Sequence, residues 1–220
     1  MSATDNISER ERALRKELAQ RTVNISSSEV SQRKAAGDPP ELIDIGRKIT
    51  ILIEEERLED ARFLLNKELD KYPDALMLLN FQMVLDSLEK PFGKYDNARK
   101  TGIKLIEQSV KEKNSYYTMV GINNLGLIAH KEGQEDLSLA MYLAANYIDD
   151  SALFTMCNLA GWYSRKKNLA EAMHWITKII ETNPNWQTDE EITSFLNKDE
   201  SLYNLRQYDE FKKEILAKIK

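Results

Sequence analysis

Cysteine is almost absent from this 220-residue chain, since Cys157 is the only one. A single cysteine excludes an intrachain disulfide and a cysteine-based metal cluster. Five prolines and eight glycines leave few residues that break helices. The sequence contains no run of about 18 apolar residues, and its first residues lack the apolar stretch of a secretory signal. These absences predict a helical, reduced, cytoplasmic protein that does not enter a membrane.

Positive charge is not in excess either. The chain has 31 Lys and Arg residues against 36 Asp and Glu residues, which gives a formal net charge of −5. No broad basic block occurs along the chain. Because phosphate binding requires clustered Lys and Arg side chains, the composition argues against nucleic acid as a partner. Apolar residues at 42% and charged residues at 30% are typical of a folded, helix-rich protein.

Residues with catalytic or metal-binding chemistry are few and widely separated. His130 and His174 are 44 positions apart, and Cys157 has no histidine near it in sequence. No glycine-rich phosphate loop, zinc-protease motif or nucleophile elbow is present. The sequence therefore predicts neither an enzyme nor a cofactor or metal site. An isolated histidine is ordinarily a surface or hydrogen-bonding residue, and an isolated cysteine is ordinarily inert.

The most informative pattern is an internal repeat with an offset of 34 residues. Two windows show the same order of apolar and small side chains, so that Leu125 and Leu159, for example, occupy equivalent positions. The first window contains Ile122, Leu125, Gly126, Ala129, Ser138, Tyr142 and Ala145, and the second contains Met156, Leu159, Ala160, Tyr163, Ala172, Ile176 and Ile179. A period of this length indicates stacked helical hairpins, each of which buries its apolar face against its neighbours.

The motifs within these windows resemble the tetratricopeptide repeat (TPR) family over residues 42–184. The family pattern is W-x2-L-G-x2-Y, followed by a small residue, an aromatic, another small residue and Pro. The matching segments are Asn124-Leu125-Gly126, Ala129, Tyr142 and Ala145 in unit three, Asn158-Leu159-Ala160, Tyr163, Ala172 and Pro184 in unit four, Ala61 and Pro73 in unit one, and Tyr95-x2-Ala98 in unit two. Ser138 and Asp150 depart from the pattern in unit three. The resemblance implies an all-α, TPR-like α-solenoid of about four stacked hairpins with C-terminal capping helices.

The chain divides into an arm and a repeat domain. Residues 1–40 form a charged N-terminal arm, either mobile or a short helix, and residues 41–220 form the repeat domain, with a cap at about 187–220. Unit two is nine residues longer than one repeat, which predicts an insertion near Pro91. Asn168, followed three residues later by Glu171, predicts a helix start. The segment at 199–211 resembles the closing segment of some bacterial TPR arrays and favours a bacterial source.

The resemblance also implies a binding surface, because in TPR proteins the first helix of each hairpin lines a concave groove. Its positions in units three and four hold Asn123, Asn124, Leu127, His130, Lys131, Phe154, Asn158, Ser164 and Arg165. Family members use the Asn at 124 and 158 to hydrogen-bond the backbone of an extended peptide. The alternative is that this Asn bonds a neighbouring helix. Lys131 and Arg165 recur at one repeat position and would attract acidic side chains or a carboxylate.

Two functions follow from this pattern. The first is a non-catalytic adaptor that binds a peptide or protein segment in the groove of the TPR array. The second is a structural self-assembly module, in which copies of the chain form a homo-oligomer. Neither hypothesis involves nucleic acid, a membrane or a cofactor.

Overall fold

The structure is a computed structural model that describes residues 36–88 and 95–219. All regular elements within these residues are helical, and none is a strand, which confirms the prediction of an all-α protein. The described residues form two compact units, of which the first ends at Gln134 and the second begins at Glu135. Most of the predicted arm and the predicted insertion near Pro91 lie outside the described residues.

The first unit contains five described helices that pack in sequence order. They are α1 (Pro40–Glu54), α2 (Leu58–Leu69), α3 (Leu76–Leu88), α4 (Asp96–Lys111) and α5 (Ser115–Lys131). Each helix packs against the next, and α3 also packs against α1 and α5. Helix α3 is consequently buried almost all around, and its side chains from Leu76 to Phe81 are at most 5% exposed.

The second unit contains three long helices followed by short ones. They are α6 (Glu135–Ile148), α7 (Leu153–Arg165), α8 (Leu169–Thr182), α9 (Glu190–Lys198), α10 (Tyr203–Arg206) and α11 (Asp209–Glu214), with 3-10 turns at Glu200–Leu202 and Leu216–Lys218. Helix α7 packs against α6, α8, the first 3-10 turn and α10. The predicted amphipathic helix through Phe211, Ile215 and Ile219 is interrupted after Glu214, although Phe211 and Ile215 are buried as expected.

Local sequence signals explain where these helices begin. The side chains of Asn114, Asn168 and Asp189 cap α5, α8 and α9, and each accepts a hydrogen bond from a backbone N–H of the first turn. The capped start of α8 confirms the prediction drawn from Asn168 and Glu171.

Four helices end in one common geometry. Beyond α1, α4, α5 and α7 the second residue after the helix has a positive φ; these residues are Glu56, Lys113, Gly133 and Lys167. The next backbone N–H then bonds to a carbonyl five residues earlier, as from Gln134 to Ala129 at 2.9 Å and from Asn168 to Tyr163 at 3.0 Å. Glycine adopts this conformation without strain, whereas three of the four positions carry a Glu or Lys side chain.

Small buried residues lie near the N-terminal ends of α2, α4, α6 and α8. Ala61, Ala98, Ser138 and Ala172 lie in the first turn or just beyond it on α2, α4, α6 and α8, and all four are fully buried. A larger side chain at these positions would overpack the crossing, which typically costs about 1–3 kcal/mol. The repeat periodicity therefore corresponds to real packing positions.

One buried ionic contact joins three helices of the first unit. Asp86 on α3, at 8% exposed, accepts a hydrogen bond from the Arg62 guanidinium of α2 at 2.8 Å. Its other carboxylate oxygen accepts one from the Thr101 hydroxyl of α4 at 2.7 Å. Because a buried carboxylate is costly unless it is paired and hydrogen-bonded, this arrangement favours one particular packing of the three helices.

Candidate protein-binding surface

The binding residues predicted in the first unit lie on α5, and three of them are buried. Asn123, Asn124 and Leu127 are 0%, 4% and 1% exposed. The Asn124 side-chain amide donates to the Asn80 side-chain oxygen on α3 at 3.0 Å, and Asn123 donates to Asn124 at 3.3 Å. Asn124 therefore bonds a neighbouring helix, which is the alternative that the sequence left open.

The other two predicted residues on α5, His130 and Lys131, are half-buried in its last turn. Basic side chains at a helix C-terminus interact favourably with the helix dipole. Glu132, the next residue, forms an ion pair with Arg99 of α4. The hydrogen bond to Glu132 is the main reason that the pKa of the Arg99 guanidinium is raised. The C-terminal end of α5 therefore carries several charged groups close together in sequence.

The binding residues predicted in the second unit lie on α7, where the C-terminal segment covers part of the helix. Ser164 is fully buried; its hydroxyl accepts from the Leu205 backbone N–H at 3.3 Å, and its carbonyl accepts from the Asn204 side chain at 3.0 Å. A Cβ atom placed on Gly161 would lie only 2.8 Å from the Cβ of Ser201. This face of α7 is therefore occupied by residues 200–206 of the same chain.

The remaining residues predicted on α7 differ in exposure. Asn158 is 2% exposed, whereas Phe154 and Arg165 are half-buried at the two ends of the helix. Nearby, burial raises the pKa of the Tyr163 hydroxyl, and the negative charge of Glu171 adds to this effect. His130, Lys131 and Phe154 are thus half-buried, and so is Arg165, although its Nε and Nη2 atoms are buried.

A surface that the sequence analysis did not identify lies on α6. Its outward side chains include Leu137, Leu143 and Tyr147, which are 45%, 41% and 91% exposed. The signal is visible in the sequence, because no charged residue occurs from Leu137 to Ile148. A helix that is apolar on all sides is normally buried on all sides, so an uncharged helix at the surface indicates a contact site.

An acidic cavity of about 410 Å³ lies in the first unit, where the chain enters α1. Its lining includes the carboxylates of Asp38, Asp74 and Glu112. Asp38 accepts a hydrogen bond from the Tyr117 hydroxyl, and Asp74 lies 3.5 Å from the Lys104 ammonium. The Asp38 contact holds the residues before α1 against α5, and the two contacts account for two of the three carboxylates.

Within residues 36–88 and 95–219, no group of three or more His, Cys, Asp or Glu side chains is arranged to hold a metal ion. None of the helices in this part of the chain is long and apolar enough to cross a membrane. Comparisons with protein-family models, with curated proteins and with solved structures found no match for the chain. A function for the chain is therefore inferred from the positions and exposure of its own residues.

Proposed function

We propose that this chain is a TPR-like helical-repeat adaptor that binds a protein segment and catalyses no reaction. One observation carries the proposal: helix boundaries repeat at the 34-residue offset. Helices α5 and α7 end at Lys131 and Arg165, and α6 and α8 begin at Glu135 and Leu169. A repeat of this length is typical of helical-repeat proteins, whose extended surfaces usually hold other proteins.

Binding is assigned to the C-terminal ends of α5 and α7, each considered within its own unit, rather than to their buried asparagines. Lys131 and Arg165 end equivalent helices, and both are half-buried. Lys131 would attract acidic side chains or a terminal carboxylate of the partner, and Arg165 would contribute less, because its Nε and Nη2 atoms are buried. His130 and Phe154 would contribute polar and apolar contact area beside them. The pairing of Asn124 with Asn80 supports a structural role for that residue, so its amide is not assigned to the partner.

The test is quantitative affinity purification with the full chain as bait. Wild type is compared with the double variant Lys131→Glu/Arg165→Glu, and a matched control carries Lys100→Glu/Lys111→Glu on the exposed face of α4. We expect a dominant partner to be captured by wild type and by the control, and to be reduced at least tenfold with the α5/α7 variant. Isothermal titration with the purified partner should show affinity that falls as salt concentration rises. Equal capture by all three baits would contradict the assignment.

Self-assembly remains the alternative function. It predicts that the molecular mass measured by sedimentation increases with concentration and that the purified chain captures mainly itself. A mass of 25.4 kDa at all concentrations would favour the adaptor.

A further inference from the structure

The outward face of α6 is a continuous apolar stripe. Leu137, Ala140, Ala144 and Tyr147 are all exposed and follow one another at spacings of three, four and three residues. Leu143 lies beside this stripe and is also exposed. The opposite face is the packed one, since Ser138, Tyr142 and Ala145 are fully buried. A stripe at 3–4–3 spacing matches the seam along which one helix packs against another.

Helix α8, which lies 34 residues further along the chain, shows that such a face is not a requirement of the fold. At the 34-residue offset, the five stripe positions of α6 correspond to a polar set on α8. These residues are Glu171, His174, Thr177, Lys178 and Glu181. Four of them are exposed, and Lys178 is half-buried. The two helices occupy the same repeat position with similar exposure, so only the chemistry of the face differs. The apolar outward face of α6 is therefore separate from the face that packs against α7.

We propose that the outward face of α6 is a docking site for an amphipathic helix of another protein, with an apolar seam and basic residues at both ends. This inference concerns a surface separate from the ends of α5 and α7 and goes beyond the proposed function. The central Ala140 and Ala144 permit close approach of a helix backbone, while Leu137 and Tyr147 provide apolar contacts towards the ends. Asp136 precedes the stripe, and Asp149 and Asp150 follow it, so both ends carry carboxylates.

Three other ligands could cover this face: a second copy of the chain, a membrane surface or the N-terminal arm. Charge and sequence pattern favour a helix of another protein over all three. A second copy pairing through α6 would place Asp136 near Asp136 or near Asp150, so like charges would meet in either orientation. A membrane surface is equally unsuited, because interfacial helices carry Lys and Arg on the polar side, and α6 has neither. The N-terminal arm of this chain lacks a continuous seam, since Arg10 and Glu17 interrupt the apolar series of Ile7, Leu14 and Leu18.

The contact area predicts transient binding. Helix α6 has 14 residues, which corresponds to a length of about 21 Å and a diameter of about 10 Å. The five exposed apolar residues of this face are far fewer than the roughly 20–30 residues per side of a stable interface. We therefore expect a dissociation constant in the micromolar range or weaker.

The experiment uses the full chain and a fluorescein-labelled synthetic helix of 18 residues. The peptide has leucines at 3–4 spacing and lysines in its first and last turns, and its binding is followed by fluorescence anisotropy. The double variant Ala140→Glu/Ala144→Glu should weaken binding at least tenfold. The matched control is His174→Glu/Lys178→Glu, which places the same side chains at the equivalent positions of α8 and should leave binding unchanged. Circular dichroism should show that both variants are folded at the temperature of the binding assay.

A second comparison tests the role of the acidic ends. The same peptide with glutamates in place of its terminal lysines should bind wild type several-fold more weakly. The variant Asp149→Asn/Asp150→Asn should reduce this difference between the two peptides. The variant Lys100→Glu/Lys111→Glu, on the exposed face of α4, should bind the lysine peptide as wild type does.

Three results would overturn the inference. The first is equal binding of the lysine peptide to wild type and to Ala140→Glu/Ala144→Glu. The second is a concentration-dependent dimer in sedimentation that this α6 variant abolishes, which would identify a second copy as the occupant. The third is tighter binding of a synthetic peptide of residues 7–21 than of the lysine peptide, abolished by the same variant, which would identify the arm of this chain.

Discussion

Replacement of Asn124 by alanine should destabilise the first unit, because its side chain has a structural partner. Asn124 and Asn80 are 4% and 2% exposed, and the Asn124 amide donates to the Asn80 oxygen at 3.0 Å. Truncation of Asn124 leaves that buried oxygen without its donor. A buried polar group left unsatisfied costs about 1–3 kcal/mol, whereas a hydrogen bond removed with both its partners costs about 0.5–1.5 kcal/mol.

Urea unfolding provides the assay. With a slope of about 2 kcal/mol per molar, the expected loss lowers the unfolding midpoint by about 0.5–1.5 M. Far-UV circular dichroism reports both units, while tryptophan fluorescence reports only the second, where Trp162, Trp175 and Trp186 lie. We therefore expect the shift caused by Asn124→Ala in the circular dichroism curve. Asn66→Ala, at an exposed position of α2, should change the free energy of unfolding by less than about 0.5 kcal/mol.

A double-mutant cycle measures the coupling free energy between Asn80 and Asn124. Asn80→Ala and Asn124→Ala together should cost less than the sum of the two single variants, by about 1 kcal/mol, because the Asn80 oxygen is not left without its donor in the double variant. The Asn123 amide loses its Asn124 acceptor in the single and in the double variant alike, so this loss does not affect the difference. An unchanged midpoint for Asn124→Ala, combined with loss of partner binding, would refute the reasoning. That result would support the peptide-binding role that the repeat position of Asn124 implies.

Two further predictions concern positions where the backbone leaves little choice of side chain. Gly161→Ala should destabilise the second unit by about 1–3 kcal/mol, because its Cβ would clash with Ser201. The tryptophan fluorescence transition should then occur at a lower urea concentration. Adding Ser201→Gly should recover part of the lost stability. Lys167→Gly should raise the free energy of unfolding by about 1 kcal/mol, because Lys167 has a φ of 59° and an L side chain is strained there. Gly133 already occupies the equivalent position, and a lower melting temperature for Lys167→Gly would show that the Lys167 side chain contributes more than the strain costs.

Local features of the chain were readable from the sequence. The scarcity of helix-breaking residues predicted an all-α protein, and the 34-residue offset predicted the buried small residues at Ala61, Ser138 and Ala172. Asn168 and Glu171 predicted the capped start of α8. These predictions succeed because capping and the 3.6-residue period depend on neighbours within about one helical turn, which the sequence displays directly.

Contacts between distant segments were decided only by the tertiary structure. The repeat pattern placed Asn124 and Ser164 on a binding face, whereas Asn80 contacts the first from 44 residues away and Leu205 the second from 41. A periodic pattern shows that a helix face is in contact, but it does not show with which segment. The same limit applies to α6, where an uncharged sequence is compatible with burial on every side. Only the packing of α6 against α7 on one side shows that the opposite face, with Tyr147, is open to solvent.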